Sequence, residues 1–141
     1  MKLSYWMAAK AVIVAIFGIG FVFLAPILLA LYGLDASPGT RLMGQLFGAA
    51  FIFEGIVLWL SRNVDLDDVA GRAIVIGVVV SNAIGFVVCL MATLSGVWNA
   101  LGWLSVALYL VFGLAFAYFL FMRPAARKAP RKATRRTARR A

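Results

Sequence analysis

The chain has no histidine, one cysteine (Cys89) and only five acidic residues among 141. Each scarcity excludes something. Without histidine, the commonest general base and the usual haem or metal ligand are missing. A lone cysteine cannot close an internal disulfide or build a thiolate cluster, and one buried in an apolar run is ordinarily inert. No phosphate-cradling glycine loop or nucleophile motif occurs. The sequence therefore predicts no enzyme, no cofactor and no metal. Residues 61–72, SRNVDLDDVAGR, gather Asp65, Asp67 and Asp68, but a calcium loop needs further spaced oxygen ligands, a central glycine and a terminal Glu. Those acids suit a cap for the third helix, or a solvated turn balancing Arg62 and Arg72.

Polar residues of every kind are scarce. Apolar residues make up 65% of the chain, against roughly 45–50% in soluble domains. A soluble domain this small lacks the interior to hide so much apolar surface. A bilayer removes the difficulty. Four apolar runs cover 11–32, 42–60, 73–94 and 100–122, and each approaches the ~20 residues that cross a ~30 Å hydrocarbon core as a helix. They lack the ~10-residue alternation of barrel strands. With short loops between them, the expected fold is an all-α integral membrane antiparallel four-helix bundle. The first run is too long for a signal-peptide core and is followed by no small-x-small cleavage site, so it reads as a retained helix. Pro26 predicts a kink in it.

Charge is strongly one-sided, with fourteen basic residues and a net charge of +9. Nine of the fourteen fall in residues 123–141, RPAARKAPRKATRRTARRA. They are Arg123, Arg127, Lys128, Arg131, Lys132, Arg135, Arg136, Arg139 and Arg140. A segment of this composition cannot build a core and is expected to be a disordered tail. Beside a membrane helix it would lie on anionic lipid headgroups, at about 1 kcal/mol per basic residue. Nonspecific nucleic-acid binding needs only phosphate neutralisation, but the tether makes lipid the nearer polyanion. Lys2, Lys10, Arg62, Arg72 and the tail share one side of the membrane, whereas the other side holds only Arg41. The positive-inside rule then places both termini in the cytoplasm of a bacterial inner membrane.

Small residues mark where helices can approach closely. Gly44 and Gly48 form a GxxxG in the second run, and Gly77, Ser81 and Gly85 recur every fourth residue in the third. Such stripes serve either the bundle's own interior or a homodimer or larger complex. One carboxylate, Glu54, interrupts the second run. Counting from Leu60, it lies roughly 9 Å inside the membrane, without an evident basic partner. Asn82 lies roughly 14 Å deep in the third run and Tyr109 near the middle of the fourth, an ascending ladder through the inner half of the bundle. The three form a candidate intramembrane polar cluster. In a structural reading Glu54 hydrogen-bonds Asn82, Tyr109 or a backbone carbonyl and pins the packing. In a functional reading it carries protons or binds a cation in a cavity, since intramembrane ionisable groups are functional candidates by default.

The sequences LYGL at residues 31–34, RLMGQLFGAAF at 41–51 and SGVWNALGW at 95–103 give a pattern that resembles small bacterial four-helix membrane proteins of the DoxX-like type. The resemblance covers about residues 11–122, excludes the tail and implies no catalytic residues. Small multidrug resistance transporters are also similar in having four helices and one functional membrane carboxylate. Theirs lies in the first helix, where this chain has none. The sequence thus points to a small non-enzymatic membrane protein, an accessory or interaction partner. The alternative is a dimeric proton-coupled transporter using Glu54.

Overall fold

The computed structural model describes residues 2–122. They form α1 (Leu3–Leu31), α2 (Pro38–Leu60), α3 (Val69–Leu94) and α4 (Gly102–Met122), with no strand among the described residues. Each helix is long and apolar enough to cross a membrane. The outward surface is of the same character, with Phe23, Phe53 and Phe121 all more than two-thirds exposed. Water would penalise a continuous apolar surface of this kind, whereas lipid would not.

The helices start or stop at chemically sensible places. At α2, Ser37 accepts a hydrogen bond from the Thr40 N–H at 3.2 Å and Pro38 takes the first turn, where its missing N–H costs nothing. This moves the start four residues upstream of the apolar run. Asp68 precedes α3 with an extended backbone but makes no side-chain cap bond. Asp65 accepts from the Asp67 N–H instead, closing an Asx turn. Arg62 makes no ion pair with these acids among the described residues. Its guanidinium donates to the Trp59 carbonyl at 2.6 Å and covers the Trp59 ring. Gly33 and Gly96 follow α1 and α3 with φ of +80° and +73°, the left-handed cap that glycine supplies without strain.

The largest departure from the apolar runs is at α1, which begins at Leu3 rather than near residue 11. Lysine is a good helix former, so Lys10 does not mark a boundary. It lies inside the helix and is buried, at 3% exposure.

Packing is pairwise. Along α1, Ala11 faces Gly55 and Gly18 faces Gly48, so α1 and α2 run antiparallel. A Cβ on Gly48 would come within 2.7 Å of the Gly18 carbonyl, a backbone approach that only glycine permits. Gly85 against Tyr109 and Gly102 against Thr93 set α3 antiparallel to α4 in the same way. The α2 glycines thus face the bundle interior. The α3 stripe is divided, because Gly77 has open space around it while Gly85 seats a tyrosine ring. A smaller α1–α4 contact joins the two hairpins, whereas α2 and α3 scarcely meet.

The bundle is polarised along its axis. Leu3, Met7, Leu58, Val75, Phe116 and Phe119 form a dense core at the end that carries residue 2 and the α2–α3 loop, hereafter the terminal end. At the opposite end, the α3–α4 loop folds over the end of α1. Asn99 donates its backbone N–H to Tyr32 O and its side-chain N–H to Leu31 O, at 3.0 and 2.8 Å. The Tyr32 hydroxyl meets Ser105 Oγ at 2.7 Å, and its ring lies on Trp98. The side chain of Asn99 thus takes up a carbonyl that the end of α1 leaves without a helical partner.

Pro26 kinks α1, with Leu24 leaving helical geometry (φ −124°, ψ 30°). A proline at position 26 deprives the carbonyl four residues earlier, Val22 O, of its usual donor. Gln45 of α2 supplies one, its Nε2 lying 3.2 Å from Val22 O. Removing this donor should cost about 1 kcal/mol. Gln45→Leu is therefore expected to lower unfolding stability in detergent by that amount. On a Pro26→Ala background, where the helix can make its own bond, Gln45→Leu should cost close to nothing. Equal losses in both backgrounds would show that Gln45 does not serve the kink.

Candidate functional site

The lower half of α1 faces the lower half of α2, and both helices carry an ionisable group there. Lys10 lies seven residues from the start of α1 and Glu54 six from the end of α2, so at ~1.5 Å per residue the two sit at one level. Lys10 Nζ lies 2.7 Å from Glu54 Oε1, with side-chain exposures of 4% and 23%. Glu54 therefore has a basic partner. The expectation of an isolated carboxylate fails because Lys10 lies just outside the apolar run and reads as a flanking charge, forty-four positions away in sequence. A helical heptad count from Leu3 would have placed it inside.

Asn82 of α3 and Tyr109 of α4 do not bond to Glu54. Asn82 is 1% exposed and donates Nδ2 to Val78 O at 2.6 Å, one turn back in its own helix. Its Cβ lies beside Gly113 of α4. The Tyr109 ring packs on Gly85. No hydrogen bond joins Glu54, Asn82 and Tyr109 among the described residues. What they share is a wall.

That wall encloses a cavity of about 760 Å³ between the two hairpins. It runs from Leu34, Thr40 and Trp98 at the opposite end down to Lys10, Glu54, Asn82 and Phe112, where the dense core stops it. The cavity exists because α2 and α3 do not close on each other. Met43 and Phe47 of α2 and Ile84 and Val88 of α3 line it while remaining exposed on the outer surface. These four residues form the rim of a lateral opening. Tyr32, Ser105 and Trp98, tied by the loop contacts described above, cover the opposite end.

Most of the lining is apolar and much of it aromatic. Polar groups lie at both ends, with Tyr32, Thr40 and Ser105 at the opposite end and Lys10, Glu54 and Asn82 at the closed end. There, among the described residues, Asn82 Oδ1 is buried without a hydrogen-bond partner, and neither Lys10 Nζ nor Glu54 Oε1 has one beyond their mutual ion pair. Buried polar atoms with spare capacity are uncommon in folded proteins and call for water or a ligand. Among the described residues no group of three or more histidine, cysteine, aspartate or glutamate side chains comes together to hold a metal. Cys89 is buried in the cavity wall. The proposed headgroup contacts, Arg123, Arg127, Lys128, Arg131, Lys132, Arg135, Arg136, Arg139 and Arg140, lie outside the described residues.

The ion pair makes a stability prediction. Removing one partner from a buried pair leaves an uncompensated charge, at a cost of about 3–5 kcal/mol, whereas replacing both with apolar groups is often neutral. Lys10→Met and Glu54→Gln should each destabilise the protein by about 3 kcal/mol. The double variant Lys10→Met/Glu54→Leu should recover most of the loss. Reversible unfolding in mixed detergent reads all three. A Glu54→Gln protein as stable as the unaltered one would show that the pair does not hold α1 to α2.

No protein-family model matches the chain, and no curated protein or solved structure matches it.

Proposed function

We propose that the protein is a non-enzymatic, multi-pass protein of a bacterial cytoplasmic membrane that holds a small apolar molecule in the cavity between its hairpins. The observation that carries this reading is the cavity itself. Small-molecule sites are concave, about 300–1,000 Å³, mostly apolar, and carry a few convergent polar groups. The 760 Å³ space with Lys10, Glu54 and Asn82 at its closed end has those attributes. An accessory role follows, in which the bundle binds, stores or presents a membrane-dissolved compound to other proteins. This is compatible with the DoxX-like pattern of residues 31–34, 41–51 and 95–103.

The ion pair favours a second reading, proton-coupled transport, because ionisable groups at membrane depth often mark a pathway. Transport would require the dense core around Met7, Leu58 and Phe116 to open. A flux in proteoliposomes that Glu54→Gln abolishes would favour this reading over simple binding.

Native mass spectrometry of the protein released from nanodiscs should find it carrying a small apolar molecule. Leu108 lines the cavity, and Leu108→Trp should place an indole there and displace the adduct while the protein stays folded by circular dichroism. Absence of any adduct, or its persistence with the cavity filled, would sink the reading.

Orientation rests on the distribution of basic residues, with the tail of Arg123 to Arg140 at the cytoplasmic face against anionic lipid. On a Cys89→Ser background, an impermeant maleimide added to spheroplasts should label Ser95→Cys and spare Asp67→Cys. In a separate test, protein purified without residues 124–141 should lose the salt-sensitive affinity for anionic vesicles expected of the full chain. Inverted labelling would overturn the topology, and unchanged vesicle affinity the headgroup role.

A further inference from the structure

Resting on the cavity reading, we infer that the occupant is a neutral, ring-bearing apolar molecule with one hydroxyl group, held with that hydroxyl at the Lys10–Glu54–Asn82 end. Charge comes first. Among the described residues Lys10 and Glu54 are the only charged ones in the lining, and at 2.7 Å they cancel. A cationic ligand drawn to Glu54 would leave the Lys10 ammonium uncompensated, and an anion drawn to Lys10 would do the same to Glu54. Either separation is expensive away from water. The site has no net charge to offer, so it selects neutral molecules.

Hydrogen-bonding capacity narrows the class further. Asn82 Oδ1 accepts and has no donor, while Lys10 Nζ retains N–H groups with no acceptor other than Glu54. A hydroxyl supplies one donor and two acceptor lone pairs, so it matches the unused capacity of both kinds. An ether or ketone only accepts, and would leave Asn82 Oδ1 buried and unsatisfied. The difference between hydroxyl and ether is the one hydrogen bond that only the hydroxyl can donate to this acceptor, since Oδ1 is already without a partner before any ligand arrives. Specificity for a hydroxyl over its methyl ether is the expected signature.

The walls suit the rest of such a molecule. Phe17, Phe21, Phe47, Phe51, Tyr109 and Phe112 surround the space above the polar end. Aromatic faces and edges favour an aromatic ring in offset or edge-to-face contact. The route in is also apolar. Met43 and Phe47 face Ile84 and Val88 across the unpacked side of α2 and α3, so a neutral compound dissolved in the bilayer enters without crossing water.

The experiment uses the full chain in zwitterionic nanodiscs with Trp98 as its only tryptophan (Trp6→Phe, Trp59→Phe, Trp103→Phe). Trp98 lines the end of the cavity away from the ion pair. A ligand anchored by its hydroxyl therefore brings a bromine on its tail toward that indole. The probes are 4-(6-bromohexyl)phenol, its methyl ether, and analogues in which the hydroxyl is replaced by trimethylammonium or carboxylate. The phenol should quench Trp98 saturably and bind about three- to tenfold more tightly than the ether, the range of one neutral hydrogen bond. Both ionic analogues should bind more weakly than the phenol. Asn82→Leu should bring the phenol-to-ether ratio close to one. Should that variant not fold, the probe comparison on the Trp98 protein decides alone.

Equal affinity for phenol and ether would overturn the hydroxyl assignment while leaving the cavity reading intact. Tighter binding of either ionic probe would overturn the neutrality argument. If no probe quenches saturably, the cavity reading falls and this inference with it.

Discussion

A single close contact between Lys10 and Glu54 governs the arrangement of the bundle. A charged side chain in hydrocarbon costs several kcal/mol unless it is paired or hydrated, and neither residue has another ionic partner among the described residues. Once Lys10 lies inside α1, the register of α1 on α2 is constrained, because only one axial alignment brings ammonium and carboxylate to the same level. The small residues confirm that alignment rather than compete with it. With Lys10 opposite Glu54, Gly18 falls opposite Gly48 and Ala11 opposite Gly55, and the two backbones can close. Electrostatics set the register, and small side chains let dispersion hold it.

The rest of the polar inventory obeys the same constraint. Each helix break frees backbone groups that lipid cannot satisfy, and a side chain from another segment takes up the deficit. Gln45 of α2 donates to the carbonyl that Pro26 leaves open in α1. Asn99, from the loop after α3, donates to the end of α1. These contacts tie the kink and the loop to particular partners and so convert local defects into tertiary specificity. The residues left over are informative for that reason. In a chain that closes its helix breaks in this way, unsatisfied atoms at Asn82 and Lys10 stand out.

Much of the fold was legible from composition and run length alone. Four apolar runs separated by polar turns admit few arrangements, and Pro26 announces the kink in α1 through its missing backbone N–H. The site was legible only in part. Glu54, Asn82 and Tyr109 could be singled out as polar residues at depth, and the structure sets all three around one cavity. Their mutual bonding could not be inferred, because side-chain direction about a helix is fixed by packing rather than by spacing. Lys10 was hidden by a different effect. A lysine beside an apolar run looks like a boundary charge on any hydropathy scale, and its neutralisation by Glu54 is a tertiary fact. The cavity had no sequence signal, since it arises from an absence of packing between α2 and α3.

That absence is itself physically interpretable. In water, an apolar gap between two helix pairs would collapse, driven by the hydrophobic effect. In lipid that drive vanishes, and helices associate only where close packing or hydrogen bonds reward it. Glycines lie where α1 meets α2 and where α3 meets α4, so each hairpin closes tightly on itself. The residues that face across the α2–α3 side, Met43, Phe47, Ile84 and Val88, are long or branched and offer no small-residue stripe. The hairpins therefore meet where α1 touches α4 and at the dense terminal core, and stand apart elsewhere. A bundle assembled from two tight pairs and one loose seam carries an apolar chamber as a consequence of how its glycines are distributed. The Lys10–Glu54 pair at the floor of that chamber sets its two charged groups side by side at one end, where they cancel.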